Sequence, residues 1–127
     1  MQEPVVLSVD HNGATFFNVP LSGKLAGQNG EVLTLDIPLN VIQAAYEVQM
    51  WKSVRTKRDK LISDTDKEYI RHARELRLGK VVDDSVNPTT LSSDQFSKLD
   101  AYVQLLADIP QTYTNPDDVV WPTKPTV

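Results

Sequence analysis

The sequence contains no cysteine, which excludes disulfides, thiolate nucleophiles, iron–sulfur clusters and the usual structural zinc sites. Histidine is almost as scarce. His11 and His72 are the only two, too few for a histidine-rich metal site. No uninterrupted apolar run exceeds four residues, against the roughly 20 that a membrane-spanning helix requires. The first residues also lack a basic stretch followed by an apolar core, so neither a secretory signal nor a membrane span is expected. There is no P-loop, dinucleotide fingerprint or nucleophile elbow, and Gly23-Lys24-Leu25-Ala26-Gly27 matches none of their spacings. Neither glycine nor proline occurs from Leu39 to Leu78, which leaves that whole stretch free to run as helix.

What remains is the composition of an ordinary soluble domain: 127 residues, 40% hydrophobic and 24% charged. A chain of this length buries roughly 65–70% of the surface it would expose unfolded, enough for a core without staples or cofactors. The net charge of −4 is unevenly spread. Residues 1–51 carry one lysine against five acids, residues 52–80 ten bases against five acids, and residues 81–127 two lysines against seven acids. A basic middle in an acidic chain reads as solvated helix faces, with Lys52, Arg55, Lys57, Arg58, Lys60, Arg71, Arg74 and Arg77 pairing with acids of the protein or of a neighbour. The competing reading is a phosphate-binding surface.

Residues 1–38 read as a small antiparallel β unit. Val5-Val6-Leu7 with Val9 forms one strand, and Asn12-Gly13, a pair that tolerates positive φ, turns the chain back into Ala14–Val19. A polar loop with Gly23, Gly27 and Gly30 leads to a third strand over residues 31–37. From Leu39 a helix is expected, with Val41, Ala44, Ala45, Val48, Trp51 and Val54 on one face. Thr65 with Glu68 has the spacing of a capping box, which predicts a break and a second helix burying Tyr69, Ile70, Ala73 and Leu76; Gly79 stands where a left-handed residue would end it. Ser92 with Gln95 predicts another capped helix, with Phe96, Leu99, Val103 and Leu106 as an apolar seam ending near Asp108. Pro110, Pro116, Pro122 and Pro125 then predict an extended tail, free of regular helix, that carries Trp121. The fold class is α+β, with residues 1–38 as the β unit and residues 39–127 as a helical hairpin or short bundle with an extended Trp-Pro tail.

Candidate chemistry is thin. His11 beside Asp10 lies in a turn, where an exposed polar role explains it. His72 among Arg71, Arg74 and Arg77 resembles a basic helix face, unsuited to a metal ligand. The acidic pairs Asp64 and Asp66, Asp83 and Asp84, and Asp117 and Asp118 fit helix starts and turns, since the spacing and glycine of a calcium loop are missing. No catalytic residue, cofactor or metal site is implied, and composition and motif point to binding or structure.

Val54-Arg55-Thr56-Lys57-Arg58-Asp59-Lys60-Leu61-Ile62-Ser63-Asp64-Thr65-Asp66 resembles the arginine-rich helix and acidic turn of phage tail assembly chaperone and tail-fibre assembly proteins. Leu91-Ser92-Ser93-Asp94-Gln95, the stretch Leu99-Asp100-Ala101-Tyr102-Val103-Gln104-Leu105-Leu106-Ala107-Asp108-Ile109-Pro110, and Pro116-Asp117-Asp118-Val119-Val120-Trp121-Pro122-Thr123-Lys124-Pro125 follow the C-terminal pattern of that family in order. The resemblance covers about residues 50–125. Lys67-Glu68-Tyr69 and Leu99 stand where the family commonly has tryptophan, Val103 and Ala107 where it often has arginine, and Lys67 to Lys80 lengthen a usually short connection.

This resemblance implies a non-enzymatic phage protein that binds a tail or tail-fibre subunit during assembly in the host cytoplasm. Retention in the virion as a tail, fibre or baseplate component is a second version, because the same pattern also occurs fused to fibre proteins. The expected partner contacts are Phe16 and Phe17 on the β unit, whose strand edges could also pair with a fibre subunit, and Tyr102, Trp121 and Pro122 on the helical part. Against this stands the reading in which Tyr102 and Trp121 pack together in the domain's own core. The apolar seam of the last helix is compatible with a homo-oligomer. No membrane partner is expected, and the acidic chain as a whole weighs against nucleic acid. The alternative from another class is a nucleic-acid-binding accessory protein that uses the basic 52–80 helices.

Overall fold

The computed structural model describes residues 3–126. Its architecture is α+β. Two strands, β1 (Val5–His11) and β2 (Ala14–Pro20), form an antiparallel hairpin, and β3 (Lys24–Ala26) and β4 (Val32–Thr34) form a second. Four helices follow: α1 (Leu39–Ser63), α2 (Asp66–Arg77), α3 (Ser93–Ala107) and the single turn α4 (Ile109–Thr112), then a 3-10 turn over Pro116–Asp118. The chain divides into two compact units, one running up to Ser53 and the other starting at Val54. That division falls inside α1, whereas the change of character in the sequence falls where α1 begins.

In the first unit Asn12 and Gly13 both take positive φ, 51° and 77°, so the β1–β2 turn is of the tight mirror-image kind that suits the twist of paired strands. The register sets His11 opposite Ala14, Val9 opposite Phe16 and Val6 opposite Val19. Between these halves Leu7 and Asn18 are not partners, because Asn18 is itself left-handed at φ 55°. The interruption moves the core-facing position. Val9 is buried on the turn side of it and Val6 and Val19 on the other, so burial along β1 does not simply alternate. Gln49 of α1 takes up what the ladder leaves open: Leu7 donates its N–H to Oε1 at 2.8 Å, and Nε2 donates to the Val5 carbonyl at 3.1 Å. Val6, Val9, Val19, Ile37 and Ile42 make the core, with Leu21, Leu35, Val41, Ala45 and Tyr46 packed around it.

Two expectations for this unit change. The glycine-bearing loop contains strand β3, because Leu25 finds Leu33 as its cross-strand partner, and the third strand is correspondingly cut to β4. On α1 it is Ile42 that is fully buried, while Val48 stands 71% exposed.

In the second unit Ser92 caps α3 as predicted, its Oγ accepting from the Gln95 N–H while Gln95 Oε1 accepts from the Ser92 N–H. Gly79, at φ 90°, ends α2; the Lys80 N–H reaches the Glu75 carbonyl at 3.0 Å and the Gly79 N–H the Leu76 carbonyl at 3.1 Å, a Schellman closure. Thr65 does not cap α2. It keeps a helical conformation, and its hydroxyl donates to the Ile62 carbonyl at 2.6 Å, so it lacks the extended backbone a capping residue needs. Pro110 lies inside α4, in the first turn, where its missing N–H would have had no helical partner. Val54, Leu91, Leu99, Tyr102, Leu106 and Ile109 are buried apolar residues of this unit, and Pro116 is buried with them.

Candidate functional site

Helix α2 departs most from expectation. Thr65, Glu68, His72 and Glu75, spaced three or four apart, are the buried residues, while Ile70 is 64% exposed and Leu76 is also exposed. Of the apolar face read from the sequence, Ile70, Ala73 and Leu76 are therefore turned outward and Tyr69 alone stays half-buried, while a polar stripe is turned in. Each inward group except His72 has a defined partner. Glu68 pairs with Arg71, and the Glu75 carboxylate accepts from the Thr90 N–H at 3.0 Å and from the Thr90 hydroxyl at 2.6 Å. Those bonds hold the Glu75 carboxyl below its ordinary range. The His72 ring stacks on Phe96 at 4.2 Å between centroids, and its Nδ1 is buried without a hydrogen bond among the described residues. Tyr69 meets Phe96 edge-on at 5.2 Å and donates its hydroxyl to Asp100 at 2.7 Å; burial, and then Asp100, push its phenol above the usual range. The polar stripe carries the helical period as faithfully as an apolar one would, but nothing in sequence alone says which of two stripes turns inward.

The turn acids serve turns. Asp83 accepts from the N–H and hydroxyl of Ser93, and Asp84 accepts from the N–H groups of Val86 at 3.3 Å and Asn87 at 2.8 Å. Asp64 pairs with Lys60 at 3.5 Å, and Asp10 accepts from the Thr15 hydroxyl at 2.6 Å. Among the described residues no cluster of three or more histidine, cysteine or acidic side chains could hold a metal.

The candidate contact residues fall in both units. Phe17 is 72% exposed and Phe16 partly so, on the β1–β2 hairpin. Beside the hairpin a groove of about 440 Å³ is lined by Leu7, Asp10, Val48, Gln49 and Lys52 among others. In the second unit Tyr102 is 5% exposed and belongs to the interior; burial and the charge of Asp64 raise its phenol. Trp121 and Pro122 are half-buried. The Lys57 ammonium lies 4.4 Å from the centre of the Trp121 ring, a cation–π contact that runs of charge in the sequence do not reveal. Pro122 borders a groove of about 220 Å³ with Leu105, Ile109, Thr112, Tyr113 and Val120, and the Tyr113 hydroxyl donates to the Val120 carbonyl at 3.4 Å. Tyr102 and Trp121 thus differ: one is core, the other a partly covered ring held by a lysine.

No helix is long and apolar enough to cross a membrane among the described residues. Neither a curated protein nor a solved structure matches the chain. A family model for phage tail assembly chaperone proteins matches residues 51–126. That span takes in the whole arginine-rich part of α1, all of α2, α3 and α4, and the Trp121-Pro122 tail, the same stretch on which the sequence resemblance rests. It covers more than half of the residues, and the chain belongs to the phage tail assembly chaperone protein family.

Proposed function

We propose that this chain binds an unassembled tail or tail-fibre subunit in the host cytoplasm during tail assembly, with retention in the virion as a second version, acting by contact and not by catalysis. The family match over residues 51–126 carries this reading. Apolar surface beside defined cores supports it: exposed Phe17, with Phe16, on the first unit, and exposed Val120 next to the half-buried Trp121-Pro122 segment and its neighbouring groove on the second. Tyr102, 5% exposed, contributes to this reading as part of the core of the second unit and not as a contact surface. In this reading residues 39–127 are the chaperone-like domain and residues 1–38 the added β unit.

Mass spectrometry of purified phage particles, run beside affinity capture from infected cells, tests it. Capture of a tail or fibre protein with absence from particles establishes a transient chaperone, and presence in particles at a fixed ratio establishes a retained component. Recovery of neither removes the reading. Trp121→Ala addresses the site itself: it should keep the far-UV circular dichroism of the parent and lose capture, whereas loss of the fold would assign Trp121 to the core.

A further inference from the structure

The outward face of α2 combines charge and apolar surface that is left exposed among the described residues. Lys67, Arg74 and Arg77 are exposed on it, around Ile70 and Ala73, which are exposed as well, with the exposed Asp66 beside them at the start of the helix. Among the described residues none of the three cations has a carboxylate oxygen within 4.0 Å, whereas Arg58 pairs with Asp59, Lys60 with Asp64, Arg71 with Glu68 and Lys98 with Asp94. The helix dipole accounts for cations at Arg74 and Arg77 in the last turn. It opposes Lys67 in the first turn, and it does not explain an isoleucine left 64% in water between them.

The occupant follows from charge. We infer that this face of α2 docks an acidic, amphipathic segment of another protein, its carboxylates meeting Lys67, Arg74 and Arg77 and its apolar side chains covering Ile70. This inference rests on the assembly reading and names the chemistry of its partner. Several acids that a second copy of this chain would offer are already engaged, Asp83 and Asp84 in turn bonds, Asp94 with Lys98, Asp100 with Tyr69 and Asp108 with Gln104, while Asp117 and Asp118 stay exposed, so self-association is an outcome that the test must separate. Nucleic acid would satisfy the cations but would leave Ile70 uncovered.

Fluorescence anisotropy with the full chain decides it, using a synthetic amphipathic peptide of glutamate and leucine, the matching lysine and leucine peptide, and duplex DNA of arbitrary sequence. The acidic peptide is expected to bind, and to bind more weakly as salt rises from about 50 to about 300 mM. The triple variant Lys67→Glu, Arg74→Glu, Arg77→Glu should lower that affinity at least about tenfold, and Ile70→Ser should lower it several-fold with the charges intact. Unchanged far-UV circular dichroism shows that these exposed substitutions preserve the fold. Tighter binding of DNA, equal binding of the basic peptide, no binding of the acidic peptide, or a triple variant that binds as the parent does would each overturn the inference, as would a parent that is dimeric by light scattering when the variant is monomeric. Capture from infected cells separates this from the assembly reading. If the parent and the triple variant recover the same tail protein equally, the α2 surface fails and the assembly role stands; if the parent recovers none, the assembly role fails and the peptides still decide the surface.

Discussion

Glu75 is the residue whose environment makes the clearest statement about pH. Its carboxylate accepts two hydrogen bonds from Thr90 and is held below its ordinary value of 4.5. A carboxyl with a lowered folded-state value contributes stability in full above its unfolded value and loses it as pH falls through the lowered one. Urea midpoints measured between about pH 6 and about pH 3 should therefore fall for the parent, and Glu75→Gln should flatten part of that fall. Asp83, lowered by its bonds to Ser93, contributes in the same direction. Gly79 gives a second test at this scale. A Cβ there would meet no atom within 4 Å, so Gly79→Ala should cost only the left-handed backbone penalty, about 1–2 kcal/mol, read by chemical denaturation. Both roles depend on named local partners. Only Gly79 was legible beforehand, because a helix-ending glycine has a positional signature and a carboxylate aimed at a threonine fifteen residues away has none.

Among the elements, legibility tracks how local the determining forces are. The β1–β2 turn, the Ser92 cap and the end of α2 are set by residues within a few positions of one another, and they form as the sequence predicts. The Thr65 cap fails although its spacing is right, because the chain passes from α1 to α2 without leaving helical backbone at Thr65. Strand β3 depends on the pairing of Leu25 with Leu33, and the exposure of Val48 on what core lies beside α1; neither is a local property. Of the candidate contacts, Phe17 and Trp121 stand where a partner could reach them, while Tyr102 has the helical spacing of the core it joins. The tie between α1 and β1 is likewise long-range. Gln49→Ala removes the partners of Leu7 N–H and Val5 C=O, and since water reaches both groups the loss should be about 1 kcal/mol by urea denaturation.

At the scale of the whole molecule there are two compact units with separate buried residues, and Trp51 and Trp121 lie one in each. Leu106→Ala deletes a fully buried side chain of the second unit and should cost about 2–5 kcal/mol. Measured in single-tryptophan variants, the loss should be larger when read by Trp121 than by Trp51, since each probe reports first on its own unit. Equal shifts would mean that the two units unfold as one. The inverted helix α2 matters at this scale for how quickly a partner arrives. With Glu68 and Glu75 turned inward, two of the acids that would neutralise the segment no longer face the solvent, so its outward charge exceeds what the sequence count suggests. An acidic partner then meets a local attraction on a chain whose net charge otherwise repels it, which selects collisions at that face over collisions elsewhere. Added salt would act first on the rate of encounter, slowing association while leaving the lifetime of the formed complex comparatively unchanged.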